Sequence, residues 1–83
     1  MQTIFVQIKA ALGRAYEVAD AAVQTERVSE VHSISGQYDL MAKCYLDDGD
    51  DVGRFVTEVI QTLPGVKDTY TLITFNAFGA GRA

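Results

Sequence analysis

The chain has 83 residues, 48% of them hydrophobic, and a formal net charge of −4. This length predicts one small domain over residues 1–83. The acidic balance argues against direct binding of nucleic acid, which needs a basic surface. Cys44 and His32 are the only cysteine and histidine, so an internal disulfide is excluded and no structural zinc site is expected.

The expected location is the cytoplasm, without a membrane segment. A single thiol suits a reducing compartment. No apolar run approaches the roughly 20 residues of a membrane helix, and residues 1–13 lack the pattern of a signal peptide. Because a domain of this size buries a limited core, we also expect it to associate with further copies.

The first half of the chain predicts a strand, a helix and a second strand. Residues 3–10 alternate, with Phe5 on the face opposite the β-branched side chains. In 14–25 the apolar side chains recur at helical spacing. Residues 28–35 predict a weaker strand whose apolar residues are three apart, which indicates a bulge.

The second half repeats this order. Alternation over 40–46 places Cys44 on the core face and Met41 and Tyr45 on the other face. A helical stripe over 52–63 follows the acidic loop "DDGDD", whose Asp50 or Asp51 can cap the helix. The sequence "LPG" ends it.

A last strand is predicted over 66–75, followed by a glycine-rich tail, 76–83, which we expect to be loosely ordered or part of an interface. Two strand–helix–strand halves predict the α+β, ferredoxin-like βαββαβ fold. It has a four-stranded antiparallel sheet with both helices on one face.

The other face of this sheet would be apolar. Phe5, Met41 and Tyr45 fall on it, and Tyr70 and Leu72 are further candidates, although the last strand carries large apolar residues on both sides. An apolar face of this size is seldom left in water. We therefore predict a two-fold homodimer that pairs these faces, a dimeric α+β barrel.

The residues do not predict an enzyme, a metal site or a cofactor. Cys44 falls on the predicted core face, where a thiol is inert, and His32 is a lone imidazole at a strand edge. The loop "DDGDD" lacks the central glycine of an EF-hand.

The break "GQYD" between the two middle strands allows two interpretations. Gly36 permits close approach to the backbone, and Asp39 offers an acceptor for an ammonium group, so the pair would suit a free amino acid. Glycine and aspartate are equally common in a simple turn, with Asp39 capping its own turn. The local residues alone leave both open.

The stretch "VHSISGQYDLMAKCYL", followed by "VTEVIQTLPGVKDTYTLITF", resembles the effector-binding (RAM) domain of the Lrp/AsnC family of regulators. The shared features are a Gly-x-Tyr/Phe-Asp loop, an apolar helix, "LPGV" and a Thr-x-Thr strand. The resemblance covers about residues 3–75.

This resemblance implies dimers that pair through their sheets and assemble into rings, commonly octamers, with amino-acid effectors bound between dimers. Asp39 would receive the ammonium of the effector, and amides near Gly36 and Gln37 its carboxylate. Tyr38 would pack against the effector or the neighbouring dimer. The implied effector-binding set is Gly36, Gln37, Tyr38, Asp39, Thr69 and Thr71.

Full-length members of the family carry a helix-turn-helix, which these residues lack. The resemblance is therefore to a stand-alone domain that does not bind DNA itself, with a full-length relative as a candidate partner. Two alternatives remain open. One is an enzyme of the cofactor-free monooxygenase type, with a polar cavity around His32 inside one subunit. The other is a structural ring in which the loop is only a contact.

Overall fold

A computed structural model describes residues 1–79, which contain four strands and two helical regions in the predicted order. The second helix, α2, continues as a π-helical segment. The elements are β1 (Gln2–Ala10), α1 (Ala15–Val23), β2 (Val28–Ser33), β3 (Leu40–Leu46), α2 (Val52–Phe55), the π-helical segment (Val56–Ile60) and β4 (Val66–Ile73). The βαββαβ order is confirmed.

The sheet has the strand order β2-β3-β1-β4, and every neighbouring pair is antiparallel. The long strand β1 lies inside the sheet, with Ile4 opposite Cys44 of β3 and Ile73 of β4. Directly opposite residues point to the same face. The register therefore extends the alternation of β1 to its two neighbours.

The core lies between the sheet and the helices. It consists of β-branched and small side chains from β1 and β3 packed against the helices, and its fully buried members include Ile4, Val6, Ile8, Val18, Ala22, Leu40, Ala42, Cys44 and Ile60. Cys44 is 0% exposed, as its position in the alternation predicted. Burial raises the pKa of its thiol to about 11.

The second helix differs from the prediction of one helix over 52–63. It begins where predicted, and Asp51 caps it by accepting a hydrogen bond from the Arg54 amide at 3.1 Å. From Val56 the helix widens, so that the Gln61 amide donates to the Val56 carbonyl, five residues back. Apolar side chains three and four apart face the core in both geometries, so their spacing did not distinguish them.

Two strands end earlier than predicted. Strand β2 stops at Ser33, and just beyond it the Ile34 amide donates to the Asp39 carbonyl at 2.9 Å and closes the loop to β3. Strand β4 stops at Ile73, which is already opposite Ile4 near the start of β1. The predicted bulge in β2 is present as a register shift between Val28 and Glu30.

The register also defines the sheet face that points away from the helices, here called the open face. Phe5, Met41 and Tyr45 lie on it, and Tyr70 and Leu72 join them because they are opposite Gln7 and Phe5. Its use as a dimer face stays a prediction.

No helix within residues 1–79 is long and apolar enough to cross a membrane. Of the predicted tail 76–83, residues 80–83 lie outside the described residues. Residues 76–79 are exposed and belong to no helix or strand.

Candidate functional site

The loop between β2 and β3 contains the "GQYD" sequence. The Asp39 amide donates to the Ile8 carbonyl at 2.9 Å, so the base of the loop is attached to β1. Gly36 has a φ of +108°, a backbone conformation that residues with a Cβ rarely adopt. Gly36 and Gln37 are exposed. The loop therefore combines an attached base with an accessible tip.

Asp39 contacts a part of the chain far from its own turn. Its Oδ2 accepts a hydrogen bond from the Ala10 amide at 2.8 Å. This amide lies where the register between β1 and β4 shifts, between Lys9 and Ala10. Sequence reasoning offered capping of the local turn as one role of Asp39; in the structure its carboxylate bonds β1 instead.

Lys9 forms a second link between β1 and the loop. Its Nζ donates to the Gln37 carbonyl at 3.0 Å. Because both partners are exposed, this bond adds little stability, but it places an ammonium group beside the loop tip. Sequence reasoning did not select Lys9, since only the pairing of β1 with β3 brings it to this loop.

One side of the loop borders a cleft on the open face. Tyr38 stacks on Tyr70 of β4, with ring centroids 6.2 Å apart and planes at 30°. The cleft has a volume of about 680 Å³ and is also lined by Gln7, Gln37 and Met41. We call it the tyrosine cleft; it offers aromatic and amide groups without a charged side chain.

The other side of the loop borders a smaller space of about 200 Å³, the Asp39 cavity. Lys9 and Lys67 line it together with Asp39, and the turn before α1 supplies Leu12 and Gly13. One acidic and two basic residues thus line it. This combination can attract both charged ends of a zwitterion.

Thr69 and Thr71 do not meet the loop within one chain. They are opposite Ile8 and Val6, so they point to the helix side of the sheet, away from Tyr38. The Thr69 hydroxyl accepts a hydrogen bond from Gln61 Nε2 at 2.8 Å. The six predicted effector residues are therefore divided between the two sides of the sheet, and contact of both threonines with one effector stays a prediction.

His32 lies on the open face, opposite Met41, and is exposed. Its Nε2 is 2.9 Å from Glu30 Oε2, and this hydrogen bond lowers the pKa of the Glu30 carboxyl. The enzyme alternative required His32 in a cavity between sheet and helices, and the structure places it on the opposite side. Among residues 1–79, no three His, Cys, Asp or Glu side chains group to hold a metal ion.

Comparison with known proteins identifies the family of this chain. Residues 3–82 match the sequence model of the Lrp/AsnC ligand binding domain. The transcriptional regulator FL11 of Pyrococcus abyssi is 35% identical over 69 residues, which cover 83% of this chain and 45% of FL11. The chain therefore spans less than half the length of this relative.

Solved structures share the fold. The protein TTHA0845 from Thermus thermophilus has a TM-score of 0.86 and 37% identity, covering 95% of this chain and 99% of that one. A transcriptional regulator from Neisseria meningitidis, solved as a complex with L-Met, has a TM-score of 0.80. At 18% identity over 94% of this chain and 52% of that chain, it shows the fold alone.

The family match extends over nearly the whole sequence, and the ferredoxin-like fold carries the Gly-x-Tyr-Asp loop between its middle strands. This chain belongs to the Lrp/AsnC ligand-binding domain family.

Proposed function

We propose that this chain is a non-enzymatic module that senses an amino-acid effector and oligomerises, in the control of transcription. The observation that carries the proposal is the Gly36–Asp39 loop, with its attached base, its exposed tip and a polar space on either side. The regulatory setting is supported by relatives named as transcriptional regulators.

The charges around the Asp39 cavity favour a free α-amino acid as effector. Asp39 uses one oxygen to accept from the Ala10 amide, and a carboxylate has further lone pairs to receive an ammonium group. Lys67, which lines the same cavity, would receive the effector carboxylate, and the amides of Gly36 and Gln37 at the exposed loop tip are the other proposed donors. The related fold solved with L-Met supports the same ligand class.

The effector would bind where copies of the chain meet. We propose that two copies pair through their open faces and that these dimers assemble into a ring, an octamer. Thr69 and Thr71 would then reach the effector from a neighbouring copy. An effector at such a contact shifts assembly by its difference in affinity between the assembled states.

The module would influence transcription through a partner. The elements within residues 1–79 do not include a helix-turn-helix, and the net charge is −4, so the described domain lacks the features of a DNA-binding surface. A full-length Lrp/AsnC relative that joins the same assembly would supply the contact with DNA.

Isothermal titration calorimetry with the common amino acids tests the effector claim. The informative variant is Asp39→Asn, because an amide oxygen can still accept from the Ala10 amide while the negative charge is removed. Loss of a charge-assisted hydrogen bond should weaken binding by about 10- to 100-fold. Asp20→Asn changes an exposed carboxylate on α1 and should bind like the wild type.

Two results would contradict the proposal. The first is the absence of binding heat for every amino acid with the wild type, which would leave the ring as a scaffold. The second is an Asp39→Asn variant that binds the same amino acid as tightly as the wild type, which would place the ammonium group elsewhere.

A further inference from the structure

The segment after β4, residues 74–79, leaves the sheet as an exposed arm. The Thr74 hydroxyl donates to the Thr3 carbonyl at 2.6 Å, which holds the start of the arm beside the start of β1. Beyond it, Phe75 and Phe78 are 92% and 94% exposed. Phenylalanine is among the residues most often buried, so two such side chains in one short segment indicate a contact surface.

The arm also forms one wall of an open cleft. The cleft has a volume of about 680 Å³. It lies between Phe75 and Ala77 of the arm and Met1 and Thr3 at the start of the chain and of β1. Its lining is mixed, with Ile73 supplying further apolar surface. Side chains of another molecule could enter it without displacing any part of the described fold.

The two edges of the sheet differ in their protection. The β2 edge is short, contains a register shift and carries Glu30 and His32, features that discourage pairing with other strands. The β4 edge carries Lys67 and Asp68 near its start, but from Thr69 into the arm it reads "TYTLITF" (69–75), without a charge or a proline. An exposed edge strand of this composition is expected to be covered by another segment or another copy of the chain.

The apolar surface of the arm continues into the open face. Tyr70 and Leu72 are exposed on β4, and they are opposite Gln7 and Phe5 on the open face. Ile73 is also exposed, but it is opposite Ile4 and points to the helix side. A partner that covers the open face therefore also meets the base of the arm. In a two-fold dimer, each copy offers the same surfaces to the other.

We propose that the arm docks Phe75 and Phe78 on a second copy of this chain, extending the contact between open faces. This inference rests on the proposed pairing of those faces. An aromatic side chain buries about 150–250 Å², so the four phenylalanines of two arms would bury about 600–1,000 Å². Because a stable interface buries about 1,600 Å² in total, the arms would supply a large share of it.

The dimer dissociation constant, measured by analytical ultracentrifugation, tests the inference in three variants. Phe75→Ser/Phe78→Ser should raise it at least about 100-fold, because buried aromatic anchors dominate interface energies. Met41→Lys places a charge on the open face and tests the pairing itself. Tyr16→Ser/Val23→Ser removes two exposed apolar side chains from α1 and should leave the constant unchanged.

Circular dichroism checks that each variant is folded. The results that would contradict the arm inference can be distinguished from one another. If Met41→Lys dissociates the dimer and the arm variant does not, the arm inference is wrong and the face pairing stands. If neither variant affects the dimer, both are wrong. The arm inference also fails if the α1 variant weakens the dimer equally, or if the arm variant unfolds, since the phenylalanines would then pack on their own chain.

Discussion

Asp39 belongs to the fold and to the proposed site at once. Its carboxylate bonds the Ala10 amide at 2.8 Å, and the same side chain lines the Asp39 cavity. An ammonium group that binds this carboxylate would therefore act directly on the end of β1. This contact gives a physical route from effector binding to the sheet that is proposed to form the dimer.

The buried thiol of Cys44 predicts how the stability of the fold depends on pH. Burial raises the pKa of its thiol from 9.0 to about 11. Below pH 9 the thiol is protonated in both the folded and the unfolded chain, so its contribution to stability is fully present. Above pH 9 the unfolded chain loses the proton first, so the free energy of unfolding falls with pH. Between the two pKa values the slope approaches about 1.4 kcal/mol per pH unit, and the loss reaches about 2 kcal/mol at pH 11.

Urea unfolding of the wild type and Cys44→Ala between pH 8 and 11 measures this effect. The difference between the two proteins isolates the thiol from the lysines and tyrosines that titrate in the same range. The stability of the wild type should fall more steeply than that of the variant. Parallel curves would contradict a buried, neutral thiol.

At the residue scale, side chains on strands were predictable and long-range bonds were not. Alternation over 40–46 sufficed to place Cys44 in the core. The role of Asp39 depends on Ala10, 29 residues away, and on a register shift between β1 and β4. The local sequence of the loop predicts neither the contact with Ala10 nor the register shift.

The second helix depends on its first turn. The Asp51 side chain accepts from the Arg54 amide, and Asp51→Ala should lower the free energy of unfolding by about 1 kcal/mol. Thermal or urea unfolding measures the loss. Asp48→Ala in the same loop should cost less than about 0.5 kcal/mol, because Asp48 is exposed. Equal midpoints for Asp51→Ala and the wild type would contradict the cap.

At the element scale, apolar spacing predicted which segments are helices and strands, including the bulge in β2. It did not predict the π-helical segment Val56–Ile60. Phe55, Val56 and Ile60 are buried there, and their spacing meets the core in either helical geometry.

At the scale of the whole molecule, the two faces of the sheet determine which of the predicted effector residues lie together within one chain. The sequence placed Phe5, Met41 and Tyr45 on one face, but Tyr70 needed the observed register, because apolar residues occupy both sides of β4. That register also turns Thr69 away from Tyr38. Because these residues lie on different faces of one chain, we propose that they come together between copies, which makes assembly central to the proposed function.

The solution mass, with and without each common amino acid, tests this claim most directly. The chain has a mass of 9.0 kDa, and light scattering or ultracentrifugation distinguishes the monomer from a dimer or a ring. We predict a mass several times that of the chain, which at least one amino acid changes. A mass of 9.0 kDa that no amino acid alters would contradict it.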